Sequence, residues 1–163
     1  MLDALRSRGP SANVYSNIAE TPLSIAVRGG SPLTTIHKLI SWGANVREGN
    51  LLHCAVERQQ QSGDVGEVIA LLISHGASIE QIQFSDPRAY RLRGHLTRGT
   101  PLHLACRRGN LAAAEILLRY GASPFSTGRR YAQEDSTTPM EIAKGKGDDA
   151  MVALLESASG QGF

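Results

Sequence analysis

The stretch Thr100–Asn110 reads TPLHLACRRGN, and its first four residues return in altered form elsewhere in the chain. Thr21–Ser24 reads TPLS, and Thr138–Glu141 reads TPME. A single Thr-Pro dipeptide marks only a turn or the start of a helix. Three of them in similar apolar company indicate a repeated structural unit, because self-similarity along the chain is typical of repeat architectures.

Three units of the chain also contain a Gly-Ala pair. In the first unit the pair follows Thr21 by 22 residues, and in the third it follows Thr100 by 21 residues. In the second unit, Asn50–His53 (NLLH) stands in place of the Thr-Pro segment, and the pair follows Asn50 by 26 residues. The pairs are Gly43-Ala44, Gly76-Ala77 and Gly121-Ala122. Threonine can cap a helix, and proline just inside the helix start loses no hydrogen bond. Glycine can adopt the left-handed conformation that ends a helix. Each unit is therefore predicted to form a short helix, a turn and a longer helix that stops at the glycine.

The apolar residues of the third unit fall on one face of each predicted helix: Leu102, Ala105 and Cys106 on the first, and Leu111, Ala114, Leu117 and Leu118 on the second. Helices this short are not stable alone in water. Stacked pairs of helices would bury one continuous core, so the fold class is predicted to be all-α.

This unit resembles the ankyrin repeat, whose period is about 33 residues and whose signature is Thr-Pro-Leu-His-x-Ala. The residues that carry the resemblance are Thr21-Pro22-Leu23, Leu52-His53-Cys54-Ala55, Thr100-Pro101-Leu102-His103-Leu104-Ala105 and the three Gly-Ala pairs. The resemblance implies a solenoid of helix-turn-helix units with hairpin-like finger loops. It also implies that partners bind the fingers and the concave face formed by the first helices.

The spacing predicts the following organisation: residues 1–17 a partial N-terminal repeat, 18–48 repeat 1, 49–83 repeat 2, 84–99 a long finger insertion, 100–135 repeat 3 with its finger, 136–157 a C-terminal capping repeat, and 158–163 a tail. The fourth unit has Lys144 and Glu156 where the other units are apolar. Because polar residues there would face any following unit, we expect this unit to cap the stack.

Composition narrows the class of protein. The chain has 163 residues, of which 41% are hydrophobic, enough for one domain with a core. It contains no apolar run of about 18 residues, so we expect no membrane span, and no secretory signal is evident at the N-terminus. The two cysteines, Cys54 and Cys106, lie in apolar stretches without a pairing signature. We therefore expect an intracellular protein of the cytoplasm or nucleus.

The candidate chemical groups favour structural roles. Four zinc ligands at a suitable spacing are absent around His53 and His103, and the resemblance implies that these histidines bond to turn backbone. Cys54 and Cys106 are expected to be buried and inert. The GKGDD stretch, Gly145–Asp149, lacks the glycine spacing and the Ser or Thr of a phosphate-binding loop. We predict no enzymatic activity, no metal, no cofactor and no small-molecule substrate.

Charge is unevenly distributed. Residues 88–130 hold nine arginines and one acidic residue, a charge of +8, whereas the rest of the chain holds 8 basic and 14 acidic residues, a charge of −6. This uneven distribution of charge is informative about the partners that the chain attracts and not about its fold. The predicted partner-binding residues are Arg28, Glu57, Arg58, Arg107, Arg108 and Lys146 on the concave face, and Arg88, Tyr90, Arg91, Arg93, Arg98, Arg129, Arg130 and Tyr131 on the fingers.

Two functions fit this surface. The first is an adaptor or scaffold that binds an acidic segment of another protein, because arginine combined with aromatic residues is typical of interface hot spots. The alternative is nucleic-acid binding through the same arginines, with Tyr90, Phe125 and Tyr131 available to stack on bases. The protein-binding hypothesis is favoured, since stacked repeats suit extended partners and no nucleic-acid motif is present.

Overall fold

The structure is a computed structural model that describes residues 13, 20–58, 64–84, 99–130, 133–135 and 137–160. In these ranges it contains eight helices: α1 Pro22–Arg28, α2 Leu33–Ser41, α3 Leu51–Val56, α4 Val65–Ser74, α5 Pro101–Arg108, α6 Leu111–Arg119, α7 Pro139–Lys146 and α8 Asp149–Gly160. The strands β1 Gly128–Arg130 and β2 Gln133–Asp135 form an antiparallel pair between α6 and α7.

The helices form four pairs that stack in chain order. The first helices pack in series, α1 on α3, α3 on α5 and α5 on α7, while α4 packs on α6 and α6 on α8. Leu23, Leu52 and Leu102 fill equivalent places in the core and are almost fully buried, and Met140 takes this place in the fourth unit. The predicted all-α ankyrin-type solenoid is confirmed, and the finger after α6 contains the one short hairpin of the described residues.

Capping explains where three of the first helices begin. Thr21, Thr100 and Thr138 each precede a proline and form a reciprocal capping box with the residue three positions later. Asn50 departs from this pattern, because its backbone is left-handed (φ 53°) and its side-chain oxygen accepts a hydrogen bond from the Phe84 N–H at 2.9 Å. The second unit thus uses its cap position to hold the chain that follows α4.

Glycine ends the second helices in the same way in three units. Gly43, Gly76 and Gly121 have φ of +88°, +92° and +90°. At the last of these, the Gly121 N–H donates to Leu118 O at 2.9 Å and the Ala122 N–H donates to Leu117 O at 3.0 Å. The two bonds satisfy carbonyls that the helix end would otherwise leave without partners.

The predicted tail from residue 158 is wrong at its first residues, because α8 continues to Gly160. Ala158 packs against the core and extends the apolar face of Met151 and Leu155, while the Ser159 hydroxyl donates to Leu155 O at 2.8 Å. Residues 161–163 lie outside the described residues. The partial repeat predicted for residues 1–17 also lies outside them except for Asn13, whose side chain donates to Gly43 O at 3.0 Å and accepts from the Asn45 N–H at 2.7 Å.

Candidate partner-binding surface

The C-terminal ends of the first helices hold the residues that the sequence assigned to the concave face. Arg28, Arg108 and Lys146 are the last residues of α1, α5 and α7. Cations at these ends interact favourably with the helix dipole. Arg28 pairs with Glu20 and is partly exposed, the side chain of Arg108 is 62% exposed, and Lys146 is exposed. These three cations are therefore accessible, although each also has a contact within the chain.

Arg58 was predicted on the same surface, and this prediction is wrong because its side chain is completely buried. Its guanidinium donates to both carboxylate oxygens of Asp64 at 2.9 and 2.7 Å. It also donates to Val27 O at 2.8 Å and to Ser31 O at 2.7 Å. Since α3 ends at Val56, the chain has already turned inward at residue 58. Arg58 thus joins the second unit to the turn of the first and is not available to a partner.

Two further contacts link adjacent units at the C-terminal ends of the first helices. The Arg108 guanidinium lies 3.0 Å from Glu57, which ties the end of α5 to the end of α3. The Lys146 ammonium donates to Arg107 O at 2.7 Å and lies 3.4 Å from Cys106 O. Arg107, Arg108 and Lys146 are therefore brought together where α5 and α7 end.

A shared structural position underlies these contacts. Val27, Val56 and Cys106 occupy the same place in successive first helices, and the carbonyl of each accepts a hydrogen bond from a side chain of the next unit. The donors are Arg58, Asn110 and Lys146. Sequence reasoning missed Asn110, whose amide donates to Val56 O at 3.1 Å while its carbonyl oxygen caps α6. The position of Asn110 just before an apolar helix could have predicted that it caps α6. Nothing in the sequence indicated its hydrogen bond to Val56 O of the preceding unit.

Most of the predicted finger residues cannot be placed. Arg88, Tyr90, Arg91, Arg93, Arg98 and Tyr131 lie outside the described residues, and Arg129 and Arg130 belong to β1 by their backbone. Glu80, which the sequence analysis did not single out, connects two fingers. Its carboxylate accepts from the Ser123 N–H at 2.8 Å and from the Ser126 hydroxyl at 2.6 Å. Phe125, in the same finger as Ser126, is 59% exposed.

The histidines have structural roles, as the sequence analysis expected. Nε2–H of His53 donates to Gly99 O at 2.9 Å, and Nε2–H of His103 donates to Thr137 O at 3.1 Å. Nδ1 of His103 accepts from the Thr100 N–H at 3.1 Å. The pKa of His53 is lowered to about 4, mainly by burial and to a lesser degree by the charges of His103 and Arg107, which act against the opposing bond to Gly99 O. Both rings therefore fasten turn backbone.

The cysteines are buried thiols. Burial raises the pKa of Cys54 and that of Cys106 to about 12, so neither forms the reactive thiolate at neutral pH. Within the described ranges, no three His, Cys, Asp or Glu side chains are grouped so that they could hold a metal ion. In the same part of the chain, no helix has the length and apolar character needed to cross a membrane.

Stacked helix pairs with a polar surface on their first helices define a helical-repeat solenoid, a class whose extended surfaces serve in recognition. Residues 99–129 match the family model for the ankyrin repeat. The chain is 38% identical over 72 residues to the Arabidopsis thaliana protein named "Putative E3 ubiquitin-protein ligase XBAT35", a match covering 44% of this chain and 14% of that protein. It is 33% identical over 99 residues to "Ankyrin repeat and KH domain-containing protein mask-1" of Caenorhabditis elegans, covering 60% of this chain and 3% of the other.

The chain thus spans only a small part of the length of the curated relatives it matches. The matched unit contains α5 and α6, and the other three helix pairs stack in series with it. Residues 99–129 are thus an ankyrin repeat by sequence, and the described residues have the fold of an ankyrin-type solenoid. Ankyrin repeats generally mediate protein–protein interaction and are not themselves catalytic.

Proposed function

We propose that this chain is a non-enzymatic adaptor or scaffold module that binds an acidic segment of a partner protein. The binding surface, here called the concave basic surface, consists of Arg28, Arg107, Arg108 and Lys146. In this proposal, the arginines of the finger loops extend the concave basic surface. Arg58 is excluded because it is buried, and Glu57 belongs to the surface only as the ion-pair partner of Arg108.

The observation that carries this proposal is the contact of the Lys146 ammonium with the C-terminal end of α5, the helix end that bears Arg107 and Arg108. Arg107 and Arg108 follow one another in the chain, and the contact from Lys146 to Arg107 O brings the third cation beside them. The nearby carboxylates are those of Glu57, which pairs with Arg108, and Asp148, which caps α8 through the Met151 N–H at 3.1 Å. The cations exceed the carboxylates, so this end of the stack favours an anionic ligand.

Two steps describe binding. The +8 charge of residues 88–130 attracts an acidic segment over a distance of about one Debye length, roughly 8–10 Å at physiological salt. Short-range contacts then fix it, because the planar guanidinium of arginine can bond a carboxylate through two parallel hydrogen bonds. The exposed ring of Phe125 supplies an apolar anchor in the neighbouring finger.

The test is a double charge reversal, Arg107→Glu with Arg108→Glu, compared with wild type in capture from a lysate of the source organism. Captured proteins are identified by mass spectrometry, and the segment that binds is mapped by deletion. We expect folding to be retained, because both residues lie at the surface end of α5, and we expect capture to be lost. The control for net charge compares the single reversals Arg108→Glu and Lys144→Glu, since Lys144 is exposed on α7 and lies outside the concave basic surface.

Three outcomes contradict the proposal. Capture that survives the double reversal shows that the concave basic surface does not bind. Capture that is lost equally in the control variant shows an effect of net charge alone. Capture that disappears with nuclease or with a small rise in salt supports the nucleic-acid alternative, because phosphate contacts weaken steeply with salt.

A further inference from the structure

Three ring-bearing side chains occupy one repeated position on the second helices. Trp42, His75 and Tyr120 each directly precede the glycine that ends α2, α4 and α6. Their backbone angles are nearly the same, with φ of −83°, −92° and −90° and ψ of 7°, 7° and 10°. Since identical backbone geometry sends the Cα–Cβ bonds in the same direction, the rings leave successive units on one side of the stack. We call these residues the aromatic row.

The aromatic row is open to solvent. Trp42 is 71% exposed, Tyr120 is 47% exposed, and His75 is also exposed. The His75 ring is fixed, because its Nδ1–H donates to Leu71 O at 2.9 Å, and this tautomer turns Nε2 into an acceptor. Large exposed aromatic side chains at a repeated position on one side of a stack are typical of interaction sites. The row lies on the second helices and is therefore distinct from the concave basic surface.

The spacing of the row between α4 and α6 matches one turn of a polyproline II helix. Packed helices lie about 8–10 Å apart, and α4 packs directly on α6. A polyproline II helix has three residues per turn with a rise of about 3.1 Å each, so one turn advances about 9 Å. Side chains three residues apart in such a segment would therefore be spaced as the positions of His75 and Tyr120 are. Proline has no N–H, so its segment offers mainly carbonyl acceptors, which the indole N–H of Trp42 and the hydroxyl of Tyr120 can bond.

The charges beside the row define the rest of the ligand. Lys38 lies one helical turn before Trp42, and its carbonyl accepts from the Trp42 N–H. The Arg47 guanidinium lies 3.8 Å from the position that a Cβ would take at Gly76, next to His75. Arg119 adjoins Tyr120 and pairs with Glu115 at 3.0 Å. From the rings, their repeat and these cations, we propose that the aromatic row binds an extended protein segment with proline at every third residue and acidic residues between the prolines.

The experiment uses two dye-labelled synthetic peptides of equal composition. One carries proline at every third position with glutamate between, and the other carries the same residues in an order in which no two prolines are three positions apart. Binding is followed by fluorescence anisotropy and by the emission of Trp42, the single tryptophan of the chain. We expect the first peptide to bind, the second to bind at least about tenfold more weakly, and Trp42→Ala with Tyr120→Ala to weaken the first by about tenfold or more.

Two control variants separate this proposal from the proposed function. Ile25→Ala removes another exposed apolar side chain and should bind the first peptide as wild type does. In Arg107→Glu with Arg108→Glu, which disrupts the concave basic surface, the peptide should still change the emission of Trp42, because that signal reports on the aromatic row. Circular dichroism verifies that each variant is folded. Equal binding of the two peptides, or unchanged binding after the double alanine substitution, overturns the proposal. Self-association and binding of single-stranded RNA are measured in parallel. If the double alanine variant loses either of these but keeps peptide binding, the proposal is also overturned, because the row would then serve another ligand.

Discussion

Replacing Arg58 with alanine removes the contact that joins the first two units. The wild-type guanidinium is fully buried and makes four hydrogen bonds, two to the Asp64 carboxylate and one each to Val27 O and Ser31 O. The substitution leaves the carboxylate without its cation and both carbonyls without this donor. Breaking a buried ion pair by removing one partner costs about 3–5 kcal/mol. Because Asp64 retains some exposure, we expect a loss of about 3 kcal/mol in the free energy of unfolding.

The assay has two parts. Urea unfolding followed by circular dichroism at 222 nm gives the loss in the free energy of unfolding. Hydrogen exchange measured by mass spectrometry shows where protection is lost, and we expect the greatest loss in residues 22–41. In a repeat array, stability is approximately a sum of unit and interface terms, so a broken interface releases the unit beside it first.

Arg108→Ala is the matched control. Arg108 also forms an ion pair between two units, but its side chain is 62% exposed. An exposed pair contributes about 0–1 kcal/mol, so this variant should unfold close to wild type. The reasoning is refuted if Arg58→Ala costs no more than Arg108→Ala, or if exchange increases evenly over all described helices.

Two further predictions concern stability. Because burial lowers the pKa of His53 to about 4, against about 6.5 in an unfolded chain, the unfolded state binds more protons between these values. The free energy of unfolding should therefore fall by roughly 3 kcal/mol through this residue as the pH is lowered from 7 to 4. Urea titrations should show a shallower pH dependence for His53→Gln but not for the exposed His37→Gln; equal slopes contradict this. Gly147→Ala should cost about 1–2 kcal/mol because Gly147 has φ of +65°, whereas Gly145→Ala, inside α7 with open space around it, should stabilise by up to about 1 kcal/mol. Equal effects in thermal unfolding would refute the conformational argument.

The fold could be predicted because its signals are local. A threonine before proline fixes the start of a helix at Thr21, Thr100 and Thr138, and glycine with a left-handed backbone fixes the end of the second helices. These start and stop signals recur at similar spacings, so they define several similar helix pairs. Such pairs bury their apolar faces by stacking on one another. The end of α8 was placed too early because small and polar residues at 157–160 give a weak signal, whereas packing of Ala158 on the core extends the helix.

The site could be predicted only in part because exposure depends on where a helix stops. Arg58 and Arg108 both lie two residues after the shared apolar position, at Val56 and Cys106. However, α5 continues to Arg108, whereas α3 stops at Val56, so only Arg58 turns inward. Its counter-ion, Asp64, lies six residues further along the chain, and no local pattern in the sequence links the two.

The contacts at Val27, Val56 and Cys106 show why a count of positive charges cannot by itself define a binding surface. At each position the next unit provides one donor to the carbonyl, and these donors are an arginine, an asparagine and a lysine. The stack therefore requires a hydrogen-bond donor there but not a particular residue or a charge. Lys146 is exposed and can both hold α5 and face a partner, whereas the buried Arg58 can only hold α1. It follows that Arg107 and Arg108, whose side chains are not the donors in this series, can be reversed without removing these hydrogen bonds, although the reversal does remove the exposed Arg108–Glu57 ion pair between units.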